Sequence, residues 1–279
     1  MPRLDRDKAM GAMLGLAVGD AAGAPDGRGT SATQLALRLA NAVAEVGGYD
    51  PDHALRSYVA WYRSDPPDMS GHMREVLAAV AGGDDAFRAT SSFHFGGGVT
   101  SGNEALTRAT PLAVALAGRD GQLRDATLAD ASLTHFDPLA GKVALLHNQV
   151  VSWLATDGPQ RLYDELRNPE WLDDRIEDVV IPASHGVRGF AERLVSAEPG
   201  AALTALAVGL VAAYNADTFD EGVAWAVGLG GDAPANAAVT GAMLGARFGA
   251  QAIPQPSLAA LERRAEIEAL TERLIALAR

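Results

Sequence analysis

Cysteine is absent from this 279-residue chain, which excludes disulfides, thiolate nucleophiles and cysteine-held zinc. Aromatic residues are scarce as well, at 6% against 48% hydrophobic residues overall, so the core must be built mainly from Ala, Leu and Val. Small side chains let helices approach closely, and they favour a dense helical bundle. Excess basic charge is lacking too: the formal net charge is −12. That balance argues against a nucleic-acid surface, though not against a small anionic ligand held by local groups. No apolar run reaches membrane-spanning length, and the charged start Met1–Lys8 lacks a signal-peptide layout. A cytoplasmic protein with no membrane partner is expected. No linker or composition break divides the chain, so residues 1–279 are read as one domain. Strand signals are nearly missing. The expected fold is all-α, a compact bundle of some twelve helices.

What is present is a glycine-marked helical hairpin. Val227-Gly-Leu-Gly-Gly-Asp-Ala-Pro-Ala-Asn236 reads as a helix stopping at Gly230-Gly231, a tight turn, then a second helix opening on Asp232. Asp232 fits an N-cap, and Pro234 suits a first turn where its missing N–H costs nothing. The second helix carries Gly241, Gly245 and Gly249 at spacings of four. The segment 9–19 repeats that spacing with Gly11, Gly15 and Gly19, so the two helices are expected to touch.

Elsewhere the punctuation is regular. Thr30-Ser-Ala-Thr-Gln34 is a polar turn feeding a helix over 35–46, stopped by Gly47-Gly48. Asp50-Pro51 and Asp137-Pro138 are strong helix starts. Helices are expected at 72–81, at 103–117 with a bend at Pro111, at 127–134 and at 203–214, the last apolar nearly all round. Thr218-Phe-Asp-Glu221 is a capping box, and Ser257 is expected to cap one C-terminal amphipathic helix. Residues 91–102, with three successive glycines, read as a mobile loop. The acidic run Glu170–Asp178 reads as a solvated face. His53, His72, His147 and His185 show no metal spacing and are assigned to structure or surface.

Four stretches in order resemble the ADP-ribosylglycohydrolase family, which includes the dinitrogen-reductase-activating glycohydrolases. They are Ala12–Pro25, Asn103–Pro111, Ser132-Leu-Thr-His135 and residues 225–249. The resemblance implies a helical domain that cleaves the N- or O-ribosyl bond of ADP-ribosylated groups with two Mg²⁺ ions. It also implies that Thr33, Gly102, Asn103, Ser132, His135, Gly230, Gly231 and Asn236 lie around a ribosyl or nucleotide ligand. Backbone amides at helix starts suit its phosphates, which reconciles an acidic chain with an anionic ligand.

The sequence departs from the family where its metal ligands stand. The Thr-Asp-Asp-Thr-Gln motif is Thr30-Ser-Ala-Thr-Gln34 here, and Gly-Gly-Asp-Thr-Asp-Thr is Gly230-Gly-Asp-Ala-Pro-Ala235. The family's glutamate position falls on Gly27. Magnesium demands near-octahedral oxygen ligation, so no metal or other cofactor is expected. Glu104, where the family has Gly, adds a carboxylate and pairs with Asp232 as candidate catalytic acid and base. Brought together, the two are expected to titrate apart, one retaining a proton at neutral pH. Glu104 equally fits a dipole-favoured first-turn glutamate, and Asp232 a plain N-cap. Two functions stay open: a hydrolase of a ribosyl bond without the two Mg²⁺ ions, or an inactive relative that binds an ADP-ribose-like ligand or a protein partner. The chain is expected to act as a monomer or small homo-oligomer.

Overall fold

Two helices, Arg6–Gly23 and Ala233–Phe248, lie together along their glycines at the centre of the molecule. A methyl group on Gly15 would overlap the carbonyl oxygen of Gly241, and one on Gly241 would overlap that of Gly15. Gly11 and Gly245 exclude side chains against each other in the same way, and Gly19 meets the carbonyl of Ala237. At about every turn, then, backbone touches backbone. The spacing of four that marks both segments in the sequence is the spacing of this seam.

The computed structural model describes residues 3–99, 101–166 and 173–278. Among them the fold is all-α, and its nearest approach to a sheet is one isolated bridge between Gly102 and Ala201. None of these helices is long and apolar enough to cross a membrane. Helices Pro138–Thr156 and Ala202–Asn215 flank the seam and are buried almost all round. Their buried residues are chiefly Ala, Val and Leu, as the aromatic-poor composition requires. Tyr58, Trp61, Trp153 and Phe219 are among the large aromatics sealed inside.

Most expected caps form. Asp50 accepts from the His53 amide at 2.7 Å, Asp137 from Leu139 at 2.9 Å, and Thr218 from Glu221 at 3.2 Å. Gly47 ends its helix in the left-handed conformation with φ of 77°. Pro111 starts a new helix, Thr110–Ala115, after the short Glu104–Thr107 turn, instead of bending a continuous one. Breaks of this kind give the fold more helices than the dozen expected.

Two expectations fail outright. Ser257 lies within the helix Gln255–Ala260, and a second helix, Arg264–Leu277, follows an extended Leu261. Pro256 takes the favourable first-turn position, which starts the helix two residues before Ser257. Residues 91–95 are not loop but the last turns of the helix Ala86–Phe95. Only the glycines that follow leave the helix, with Gly97 at φ 91°. Of the acidic run, Glu170–Leu172 lie outside the described residues. Asp173 caps the next helix, Asp174–Ser184, whose buried Ile176 and Val179 alternate with solvated charges.

Candidate active site

The seam ends where the candidate residues gather. Asp20, in the last turn of Arg6–Gly23, is fully buried and accepts four hydrogen bonds from the start of the helix Ser31–Val46. Its donors are the amide and hydroxyl of Thr30, at 2.8 and 2.6 Å, and those of Thr33, at 3.0 and 2.5 Å. Burial pushes the Asp20 carboxyl up from its ordinary value, against the pull of these four bonds. The amide of Ser31 donates to Asp68. Two carboxylates therefore cover the positive end of that helix.

On the other helix of the seam, Gly230 and Gly231 adopt φ of 72° and 63°, conformations that favour glycine. A side chain on Gly231 would press on Val195 and Pro199, so this turn is packed on the segment beyond it. Asp232 then caps Ala233–Phe248, with one oxygen 3.4 Å from the Ala235 amide. Its other oxygen accepts from Asn103 Nδ2 at 2.8 Å. Buried Asn236 reaches back to the Gly230 carbonyl at 3.5 Å. The cap is real, and Asn103 gives it a long-range partner that a plain cap does not need.

Asn103 starts the short helix on which Glu104 stands, but Glu104 faces different neighbours. Its Oε1 accepts from Ser70 Oγ at 2.5 Å, and its Oε2 lies 3.4 Å from Nε2 of buried His135. Any side chain on Gly102 would overlap this Oε2. Burial opposes ionisation of Glu104, yet His135, Ser70 and His72 outweigh it and hold the carboxyl well below the usual carboxylate range. The proton expected on one carboxylate therefore does not sit on Glu104. Neighbours brought in from other segments set its charge, not repulsion from Asp232.

Sequence reasoning missed the residues that fix His135. Arg108 is completely buried and donates to Asp130 Oδ2 at 2.8 Å, to the Asp130 carbonyl at 2.7 Å and to Thr134 Oγ1 at 2.9 Å. Tyr58 donates to the other Asp130 oxygen at 2.7 Å and lies under the guanidinium. Thr134 Oγ1 in turn meets His135 Nδ1 at 2.8 Å. A buried arginine must be paired, so Arg108 inside an apolar stretch was the available signal. Asp20 carried one too, since an acid in a helix's last turn opposes the dipole. His72 and Ser70 gave none. Ser132, by contrast, is exposed and bonds the Ala129 carbonyl of its own helix, apart from the rest.

The donors at the two family motifs do not fit a pair of Mg²⁺ ions. Ser31 and Ala32 bring no carboxylate, and Thr33 Oγ1 is committed to Asp20. Asp232 has both oxygens engaged, and Pro234 and Ala235 offer none. A surface depression of about 720 Å³ runs along Asp157, Gln160, Arg161, Asp164 and Glu165, away from all these groups. Arg161 bridges its carboxylates, so it is a ladder of surface ion pairs and not a ligand pocket.

Comparison with known proteins agrees with this architecture. The family model described as ADP-ribosylglycohydrolase matches residues 1–279. The chain is 26% identical to the ADP-ribosyl-[dinitrogen reductase] glycohydrolase of Rhodospirillum rubrum, over 98% of this chain and 97% of that protein. It is likewise 26% identical to the ADP-ribosylarginine hydrolase Tri1 of Serratia proteamaculans (strain 568), over 98% of this chain and 80% of that one. A solved structure titled "ADP-ribosylglycohydrolase-related protein complex" superposes with a TM-score of 0.75 at 27% identity, covering 98% of this chain and 99% of that one.

Proposed function

The chain belongs to the ADP-ribosylglycohydrolase family, and from that premise we propose that it hydrolyses the ribosyl bond of an ADP-ribosylated group without a pair of Mg²⁺ ions. The relatives named above act on ADP-ribosyl groups attached to dinitrogen reductase or to arginine. An N-ribosyl bond to a guanidinium is accordingly the substrate class proposed here. The observation that carries the reading is the Asn103–Asp232 hydrogen bond of 2.8 Å. It ties together two of the segments that resemble the family and leaves a carboxylate at the mouth of the Gly230-Gly231 turn.

Ribosyl transfer to water passes through an oxocarbenium-like state that a nearby carboxylate stabilises. Asp232 takes that role, oriented by Asn103. Glu104, ionised and on the other side of Asn103, orients the attacking water. Amides at the start of Ala233–Phe248 and the Gly230-Gly231 turn suit the diphosphate. Gly102, Thr33, His135 and Asn236 border the ligand. An inactive relative that only binds ADP-ribose is the alternative that the same assay separates.

The assay is release of ADP-ribose from an ADP-ribosylated arginine peptide, with no added magnesium. The wild type should release it, and Asp232→Asn should slow release by about 10²–10³-fold, the usual worth of one preorganised electrostatic group, while ADP-ribose still raises the melting temperature. No release by the wild type, with that melting shift intact, would leave a binding protein. Unchanged turnover in the variant would remove Asp232 from the chemistry.

A further inference from the structure

Three buried polar atoms converge on one point, and each lacks a hydrogen-bond partner. They are His72 Nδ1, His135 Nε2 and Glu104 Oε2. His72, Glu104 and His135 each bring one ligand atom within 4.8 Å of the other two, from segments far apart in the chain, and His135 Nε2 lies 3.4 Å from Glu104 Oε2. Unpaired buried polar atoms are costly, and three at one place call for a common partner.

The surrounding bonds fix what these atoms can be. His72 Nε2 lies 2.8 Å from the Thr134 carbonyl, which only accepts, so Nε2 carries the ring's proton. In a neutral ring Nδ1 is then a bare lone pair. Glu104 uses Oε1 for Ser70, which leaves Oε2 as a second free acceptor beside it. His135 Nδ1 faces Thr134 Oγ1, and that leaves Nε2 pointing inward. Two acceptors thus face each other with at most one proton among the three atoms. A cation satisfies all of them at once.

We propose that His72 Nδ1, Glu104 Oε2 and His135 Nε2 bind one divalent transition-metal ion of the zinc class. Zinc takes two imidazole nitrogens and a carboxylate at about 2.0–2.2 Å, with a fourth position left for water. Those bond lengths set an edge between ligands of about 3.3–3.5 Å in a tetrahedron, and the His135–Glu104 edge is already 3.4 Å. The His72 ring stacks on Phe93 at 4.7 Å and meets the His135 ring edge-on at 4.5 Å, which places it on the third side of the triangle. Gly102 keeps the space against Oε2 free of any side chain.

The support that metal-binding histidines need is also built. Thr134 takes the outer nitrogens of both rings, its carbonyl for His72 and its hydroxyl for His135, and Arg108 pins that hydroxyl. Ser70 holds the outer oxygen of Glu104. Imidazole ligands select zinc, cobalt or nickel over magnesium, which prefers oxygen alone. This site is separate from the two family motifs and does not rest on the proposed hydrolysis. Its open position lies beside Glu104, the residue to which that reading gives the orientation of water.

The test needs no turnover. Protein dialysed against chelator is titrated calorimetrically with Zn²⁺, then loaded with Co²⁺ and examined by visible absorption and proton NMR. We expect one ion per chain, absorption bands of four-coordinate Co²⁺, and two strongly shifted exchangeable signals from the outer ring N–H groups of His72 and His135. Glu104→Gln, which keeps the side chain's shape, should weaken Zn²⁺ binding at least about tenfold. His53→Gln, on a half-buried histidine that faces Glu45 instead, should not change it. No stoichiometric binding, a Co²⁺ complex lacking the two N–H signals, or full affinity in Glu104→Gln would each overturn the site. If hydrolysis fails while the ion binds, only the functional reading falls.

Discussion

The glycine seam and the site at its end are built from the same two helices but obey different rules. Along the seam, from Gly11 to Gly19 on one helix and Gly245 to Ala237 on the other, backbone touches backbone and no methyl group fits. A few residues further on, Asp20 and Asp232 face turns where residue types differ from the family pattern at Ser31, Ala32, Pro234 and Ala235. The seam is held by shape, which one added carbon destroys. The turns are held by hydrogen bonds, which several side chains can satisfy. The scaffold can therefore persist while the chemistry mounted on it changes.

Breaking the seam should have the largest effect. Gly241→Val would drive a branched side chain into the Gly15 carbonyl, where two packed helices leave no room to shift. Overpacking of a tight core costs about 1–3 kcal/mol and occasionally more. Denaturant unfolding should show a loss at or above the top of that range. Gly228→Ala is the contrast: it lies in a helix with nothing near its Cβ position. That change should stabilise by about 0.5–1 kcal/mol. Equal effects from the two would mean the seam is looser than its geometry states.

The histidines sharpen the same contrast. His147 belongs to the scaffold: it is fully buried on Pro138–Thr156 and meets the Thr110 hydroxyl at 3.0 Å. Burial alone pushes it down to about 3, from an ordinary 6.5. The unfolded chain therefore takes up a proton below pH 6.5 that the folded chain refuses until about pH 3. Stability should fall through that window as pH drops, by up to about 1.4 kcal/mol per pH unit from this group. His147→Gln should flatten the slope between pH 6 and 4 in urea titrations. An unchanged slope would show that His147 finds a way to charge in the fold.

Legibility in the sequence followed the same divide. Glycine spacing announced the seam, and Asp-Pro pairs and the capping box located helix starts, because both signals are local. Asp232 as a cap, and its neighbourhood with Asn103, were likewise readable through short motifs. The partners of Glu104 were not. Ser70 and His72 come from one helix start and His135 from the end of another, and only the fold brings them to Glu104. Those unseen neighbours, and not Asp232, hold the Glu104 carboxyl below its usual range. Ser132 looked like part of a motif with His135, yet helical geometry turns its side chain to solvent.

The smallest expected effect tests the central claim most directly. If the family's fold is kept and its pair of magnesium ions is not, titrating chelator-dialysed protein with Mg²⁺ in a calorimeter should give no binding isotherm. Ser31, Ala32, Pro234 and Ala235 bring no carboxylate, so Asp20 and Asp232 are left with too few oxygen ligands beside them to complete two octahedral shells. A flat trace is the predicted result. A saturable isotherm with two magnesium ions per chain would contradict the account, because the helix start at Thr30–Gln34, expected from sequence as a turn, and the segment Gly230–Ala235 would then hold metal after all.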